Sequence, residues 1–543
     1  MISKKKQRKY IVVTGGVLSG LGKGIATATI GFFFSETKKV VSIKLDGYLN
    51  SDTGTMNPIE HGEVFVLDDG SEVDMDFGHY ERFLGTRTNK SQSITMGKIF
   101  QNIRFRERRG DFLGKTVQFI PHVTDLIQEK ILKVANDQGA ELVLIEVGGT
   151  IGDLENELFV ESLRQLKKRV GPKNIVYVHL SYIPIPYGVK EQKTKPTQQS
   201  IDLLHKRGVW PDFIIGRCSE KLTKKTKEKI ALFANLESKD IFSAPDVKTV
   251  YCIPSIFNQD GIVRRISKKL DISTPKCKRL SVWERLLKKE PDKKIRIAIA
   301  GKYTNLEDSY ASVVEALEHS RRHLGCNVEI VWFDTEDFSK SKLNNLDGII
   351  VPGGFGSRGV EGKIKIIKYA REKKIPYLGI CYGLQLAVVE YLRNVCNIKE
   401  ATSIEIEENT QSPAITLLDE QKNIVKKGGT MRLGAYEAYL EKGIISSLYK
   451  KFKLGTNCKK GYLVSERHRH RYEVNPEYVD ILERNKLKIT GKSKERNLVE
   501  FIELPTNIHP YFVATQSHPE LKSKLDVPAP LFYGLIRAAL RNK

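Results

Sequence analysis

Residues 10–34 read YIVVTGGVLSGLGKGIATATIGFFF, and this stretch constrains the fold more than any other. A short apolar, β-branched run at 10–13 reads as a buried strand. Gly15, Gly16, Gly20, Gly22 and Gly24 follow, with Lys23 among them, and then Ile25, Ala28, Phe32 and Phe33 recur at helical spacing. Strand, glycine-rich turn and helix together make a cradle for polyphosphate. Backbone N–H groups turn inward, the helix N-terminus favours anions, and the lysine adds a point charge. The pattern departs from a regular Walker A loop, G-x-x-x-x-G-K followed by Ser or Thr. Five residues separate Gly16 from Gly22, and Gly24 stands where the metal-binding hydroxyl belongs. Any metal ligands must therefore come from elsewhere. The plainer alternative is an ordinary strand-to-helix turn.

The chain then supplies further strands. VVSIKLDGYLN, from Val40, ends in Lys44 and Asp46, and a lysine at that strand end can reach the same crevice. Residues 51–78 read as a long polar loop in which Glu72, Asp74 and Asp76 alternate. On an extended backbone the three share a face, either solvated or holding a hard cation. Residues 118–132 read as the start of an amphipathic helix. In ELVLIEV, 141–147, Glu146 sits inside an apolar strand, which is costly without a partner. Glu146 is thus the leading metal-ligand candidate of this half, with Asp76 second. Strands at 175–180 and 213–217 flank KEQKTKPTQQS, 190–200, which is either a solvated loop or a site for phosphate and base. Alternating strands and helices predict a mostly parallel, doubly wound sheet for 1–268. Residues 269–293, with Pro275, Pro291 and dense charge, read as a linker with a short helical piece at 282–287. A second doubly wound α/β domain is expected over 294–543, with strands from Ile295 and at 328–333, 348–351 and 376–380.

In that second half LGICYGLQ puts Cys381 between Gly379 and Gly383, the spacing of a nucleophile elbow with Cys in place of Ser. A helix N-terminus at the elbow favours thiolate. TQSHPE, 515–520, offers His518 as general base and Glu520 to orient it. VPGGFG, 351–356, ends a strand in a turn whose N–H groups suit an oxyanion hole. Three separated pieces agree on one acyl-transfer site. In ERHRHRYE, 466–473, arginines alternate with His468 and His470 and oppose a metal; a structural role fits better, with Arg471 recognising an α-carboxylate.

Bulk properties exclude several classes. No apolar run is long enough for a membrane helix, and MISKKKQRKY lacks the long apolar region of a signal peptide. The seven cysteines are scattered, with no C-x-x-C pair, which points to a reducing compartment and a cytoplasmic protein. The net charge of +24 is lysine spread along the chain, without a zinc finger or RNP-type aromatic run, so no nucleic-acid partner is expected.

LGICYGLQ with SHPE resembles class I glutamine amidotransferase domains. GGVLSGLGKGI, KLDGYLN, MNPIEHGEVFV, DFGHYERF, EVGGTIGDLE and KTKPTQ, in that order, resemble the CTP synthase family, as do VPGGFGSRGVEG, GGTMRLG and ERHRHRYEVN. The resemblance implies a P-loop-like amidoligase domain followed by a flavodoxin-like glutaminase domain. It also implies amination of UTP to CTP driven by ATP and Mg²⁺, through a 4-phosphorylated UTP. By motif, Gly20, Leu21, Gly22, Lys23, Gly24 and Ile25 would hold ATP phosphates, with Lys44, Asp246 and Val247 also at ATP. Asp76 and Glu146 would hold Mg²⁺. Ser19, Lys193, Thr194, Lys195, Pro196, Thr197, Gln198 and Lys229 match UTP positions. Asp153, Leu154 and Glu155 match those that hold CTP as inhibitor. Cys381, His518 and Glu520 match the catalytic triad. Gly354, Tyr382, Gly383, Leu384, Gln385, Glu405 and Arg471 match glutamine contacts, and His61 and Val64 an ammonia passage. GTP is the expected activator, with the segment near Arg432 as a lid. A homotetramer, extended in some cases into filaments, is the expected assembly. Gly47, Thr402 and Pro245 depart from the usual family residues. Two other readings stay open: an amidoligase acting on a carboxylate, and a filament-forming protein with weak catalysis.

Overall fold

The strand expected at 10–13 extends from Lys9 to Gly16 and is buried over almost its whole length, at the middle of a seven-stranded sheet. The computed structural model describes residues 7–289, 291, 293–302, 307–336, 343–417 and 431–543. These form two units, 1–52 with 79–285 and 53–78 with 286–543.

In the first unit every strand pairing is parallel. The spatial order is Ser93–Thr95, Val40–Asp46, Leu142–Val147, Lys9–Gly16, Ile175–Tyr182, Phe213–Cys218, Ile241–Pro245. The strand order reverses beside Lys9–Gly16, which opens a crevice at the carboxyl ends there. The helix Lys23–Phe34 is buried on nearly all sides. Gly31 lets it lie against the sheet, since a Cβ there would stand 2.6 Å from Leu144 Cδ1. Pro245 ends an edge strand, where a missing N–H costs no ladder bond.

In the second unit a ten-stranded sheet has two characters. Cys326–Asp334, Lys293–Gly301, Gly348–Val351, Tyr377–Ile380 and Phe512–Thr515 are parallel neighbours. Val499–Glu503, Lys488–Ser493, Arg432–Leu440, Gly461–His470 and Thr456–Cys458 continue the sheet antiparallel. Ile297 and Ile299 enter one core cluster and Ala298 and Ala300 another, the alternation of a strand buried on both faces.

Five local expectations change. Residues 51–78 are not a plain loop: they hold a short helix, Pro58–His61, and a hairpin of Phe65–Val66 with Glu72–Val73. The common face for Glu72, Asp74 and Asp76 is lost, because the backbone turns at Asp74, whose Oδ1 accepts the Asp76 N–H at the start of the helix Asp76–Leu84. The helix expected from 118 begins at Thr124, since Pro121 and the residue before it disfavour regular helix. Residues 190–200 are only partly loop: Pro196 opens the helix Lys195–Lys206, a position where its missing N–H is no loss. The helical piece at 282–287 is longer, Lys278–Lys288. Glu36 caps its start, accepting the N–H groups of Lys278 (2.9 Å) and Arg279 (2.7 Å). Trp283 anchors it, fully buried, its ring 4.4 Å from that of Phe32.

Candidate active site

In the second unit the chain turns from the strand Tyr377–Ile380 into the helix Tyr382–Asn394 through Cys381, at φ 52° and ψ −101°. A non-glycine residue held there is strained by about 1–3 kcal/mol. The neighbours permit the turn: a Cβ on Gly379 would stand 2.8 Å from the Gly383 carbonyl carbon, and one on Gly383 would stand 2.1 Å from Val351 O. The Cys381 N–H donates to Thr515 O at 2.7 Å, tying the elbow to the strand that leads to His518.

The sulfur borders a cavity of about 520 Å³. Cys381, His518, Glu520, Gly354, Gln385, Glu405, Arg471 and Val64, all singled out in the sequence, line it together. His518 Nδ1 lies 2.7 Å from Glu520 Oε1. Burial alone would lower the imidazole's pKa; the Glu520 carboxylate and the Cys381 sulfur outweigh it and push it up to about 10. Gly353 has no room for a side chain, since a Cβ would stand 2.8 Å from His518 Cε1.

The glycine-rich turn at 353–356 is pinned on several sides. Gly356 N–H donates to Glu405 Oε1 at 2.7 Å, and its carbonyl accepts from the Tyr382 hydroxyl at 2.7 Å. Lys302 Nζ donates to Phe355 O. Lys363 lies buried beneath Gly354, 5.0 Å from the Tyr382 ring centre, and burial brings its pKa down to about 8. Ser403 Oγ accepts the Glu405 N–H at 3.2 Å. Burial raises its carboxyl pKa. Tyr382, Gly383 and Leu384 shape the helix start from within the protein rather than lining the cavity. His61 ends its short helix exposed and does not line the cavity either.

Three contributions were missed in the sequence. Arg467 and Arg469 reach the 53–78 segment, at Asp68 Oδ1 (2.6 Å) and Glu72 Oε1 (2.8 Å), so Glu72 serves an ion pair. Glu63 of the same segment lines the cavity and accepts the Ser312 N–H. Gln516 lies against the sulfur, its Nε2 3.6 Å from Cys381 Sγ. The pairs span about four hundred residues, and no local pattern announces them; Gln516 sits inside TQSHPE and could have been weighed there. His468 and His470 are buried with ring nitrogens 3.0 Å apart, and burial drives both well below the ordinary imidazole pKa. Beside them Arg432 bridges Glu473 (3.0 Å) and Glu500 (2.6 Å), two carboxylates that burial raises. Residues 428–430 of the expected lid lie outside the described residues.

In the first unit the polar residues gather where the strands end. Gly20 and Gly22 adopt φ of +73° and +91°, the left-handed conformations that glycine allows. Gly22 caps the helix that Lys23, Gly24 and Ile25 begin, while Ser19 and Gly20 are exposed and Leu21 is buried. Lys23 Nζ donates to Gly149 O at 2.7 Å, folded across Gly15. Lys44 pairs with buried Glu146 at 2.8 Å, and the Tyr80 hydroxyl donates to the other carboxylate oxygen. Beneath the loop, His179 bonds Thr14 (2.9 Å) and Ser200 (2.7 Å), and burial followed by the Lys23 charge lowers it to about 3.

Asp153 caps a turn by accepting the Thr150 N–H, next to exposed Leu154. Glu155 lies against Gly47, where a Cβ would stand 2.7 Å from Glu155 Cβ, so this tight approach suits glycine. Thr194, Thr197 and Gln198 are buried, with Lys195 and Pro196 opening their helix. Lys193 is exposed and pairs with Glu191, and Lys229 is exposed on the helix Lys224–Ala234. Asp246 pairs with Arg217 at 2.6 Å, beside half-buried Val247. No group of three or more His, Cys, Asp or Glu suited to a metal occurs among the described residues.

Comparison with known proteins covers both halves. Residues 9–272 match the family model "CTP synthase N-terminus", and residues 305–538 match "Glutamine amidotransferase class-I". A Borreliella burgdorferi CTP synthase is 50% identical, over 99% of this chain and 100% of its own. An Archaeoglobus fulgidus CTP synthase is 47% identical, over 98% and 99%. Among solved structures, the glutaminase domain of Trypanosoma brucei CTPS with bound acivicin is 35% identical, covering 46% of this chain and 94% of that one, with a TM-score of 0.41.

Proposed function

The chain belongs to the CTP synthase family, and we propose that it aminates UTP in two coupled half-reactions. UTP, ATP, glutamine and water give CTP, ADP, phosphate and glutamate. The observation that carries the glutaminase half is the single cavity in which Cys381, His518 and Glu520 meet Gln385, Glu405 and Arg471. Cys381 Sγ passes its proton to His518 and attacks the glutamine amide carbon. N–H groups of the 353–356 turn receive the oxyanion. His518, its charge balanced by Glu520, returns the proton to the leaving nitrogen as ammonia departs. Water then cleaves the thioester to glutamate. Arg471 holds the substrate's α-carboxylate, Gly354, Glu405 and Gln385 fix its orientation, and the 382–384 turn sets the helix start that carries Gln385. Val64 borders the same cavity, which supports its assignment to the ammonia passage with His61.

In the first unit, ATP phosphorylates the uracil O4 and ammonia displaces phosphate at C4. Gly20 to Ile25 cradle the ATP phosphates, and Lys23 and Lys44 balance charge on the transferred group. Asp246 and Val247 take the adenosine end. Ser19, the 193–198 segment and Lys229 take UTP. Asp153, Leu154 and Glu155 serve CTP as feedback inhibitor. Asp76 and Glu146 would hold Mg²⁺ through carboxylate oxygens, the donors it uses together with substrate phosphates, and burial of Glu146 beside Lys44 fits a site of balanced charge. When bound, Mg²⁺ neutralises phosphate charge. GTP acts as activator through the Arg432 segment. The assembly is a homotetramer able to extend into filaments, in the cytoplasm. The domains are 1–268 and 294–543, joined by 269–293.

The test is direct. Purified protein with UTP, ATP, Mg²⁺ and either glutamine or ammonia should form CTP and ADP in equal amounts. No CTP from either donor would overturn the reading.

A further inference from the structure

The Cys381 sulfur has two polar neighbours that the triad leaves out. On one side is Arg469 O at 3.7 Å, which can only accept. On the other is the side-chain amide of Gln516, 3.6 Å away and fully buried. The orientation of that amide follows from its second partner. Gln385 Nε2 has two hydrogens and two acceptors, Tyr472 O at 2.9 Å and Gln516 Oε1 at 3.2 Å. With its oxygen engaged by Gln385, Gln516 presents N–H to the sulfur. Turning the amide over would set two NH₂ groups against each other and an oxygen against Sγ.

We propose that Gln516 is a further catalytic residue of the glutamine site, donating a side-chain N–H that stabilises the Cys381 thiolate and fixes its direction. In the thiol, S–H has Arg469 O as acceptor. Once the proton has gone to His518 Nε2, Arg469 O offers the sulfur nothing, and the Gln516 N–H becomes its hydrogen bond. As the C–S bond forms, negative charge moves from sulfur to the substrate oxygen and this bond weakens, while the Gln385 link holds the amide in place. The charged and titratable groups that line the cavity with Cys381 are Glu63, Tyr310, Glu405, Arg469, His470, Arg471, Tyr472, His518 and Glu520. None of them fills the position of Gln516.

This inference rests on Cys381 being the nucleophile, and the test separates the two. Iodoacetamide alkylation is followed against pH on the peptide that carries Cys381, in the full chain. Gln516→Leu should move the alkylation midpoint up by about one pH unit and slow alkylation near neutral pH about tenfold. Gln516→Glu, of the same shape, should move it further, because a carboxylate oxygen then faces the sulfur. Near-ultraviolet circular dichroism and thermal unfolding of the full chain report that each variant is folded; if the Leu variant fails that check, the Glu variant is read alone. A folded variant with the wild-type alkylation profile would overturn the role of Gln516, even if its glutamine turnover falls. A wild-type Cys381 that reacts no faster than a free cysteine would instead overturn the nucleophile assignment on which the role depends.

Discussion

His518 Nδ1 and Glu520 Oε1 stand 2.7 Å apart, two residues from each other in sequence, with Glu520 buried and His518 partly buried, and both line the cavity with Cys381. A histidine raised from 6.5 to about 10 in the folded state stabilises the fold fully below its unfolded pKa. That contribution is lost as pH rises through about 10. Glu520→Gln should therefore lower the thermal midpoint most near about pH 6, and the difference from wild type should shrink toward about pH 10.5. Unfolding scans across this window measure it; a difference independent of pH contradicts the ion pair.

Gly353→Ala tests the space beside the imidazole. The added methyl would displace the turn or His518, and a misplacement of about 1 Å costs about a hundredfold in rate. Glutamine-dependent CTP formation should fall by that order. An unaffected rate would mean the turn has slack that the 2.8 Å approach denies.

Lys44 and Glu146 form an ion pair in which each side chain is almost fully buried. Lys44→Met leaves the carboxylate without its cation and should cost about 3–5 kcal/mol in chemical denaturation. The double variant with Glu146→Gln should recover part of that loss. CTP formation from either donor should be lost in both, because both residues are proposed to serve phosphoryl transfer.

Trp283→Ala removes the aromatic anchor of the helix Lys278–Lys288 and should destabilise the first unit by about 3–5 kcal/mol. Denaturant unfolding measures it. A change below about 1 kcal/mol would mean the segment is loosely held.

The last case shows what was legible. Periodicity found the helical piece near Trp283 but put it in a linker, because Pro275, Pro291 and the charge around them dominate the composition. Its partners Phe32, Phe83 and Tyr251 are distant in sequence. Most of the parallel strands were readable as apolar runs, but Ser93–Thr95, Ile241–Pro245 and Phe512–Thr515 were not. The antiparallel extension was not, since Arg432–Leu440 and Gly461–His470 mix apolar with charged residues and are only partly buried. At the site, Cys381 and His518 announced themselves through glycine spacing and a short motif. The Arg469–Glu72 pair could not, because it exists only once the chain has folded. Lys363 looked like one more lysine of a lysine-rich chain until its burial beneath Gly354 set it apart.

The donor comparison on Cys381→Ala tests the central claim most directly. CTP formation from UTP and ATP is measured with glutamine and, separately, with ammonia. Two linked sites predict that the glutamine reaction falls to background while the ammonia reaction continues near the wild-type rate. CTP made from glutamine by this variant, or loss of both reactions in a folded protein, would contradict the account.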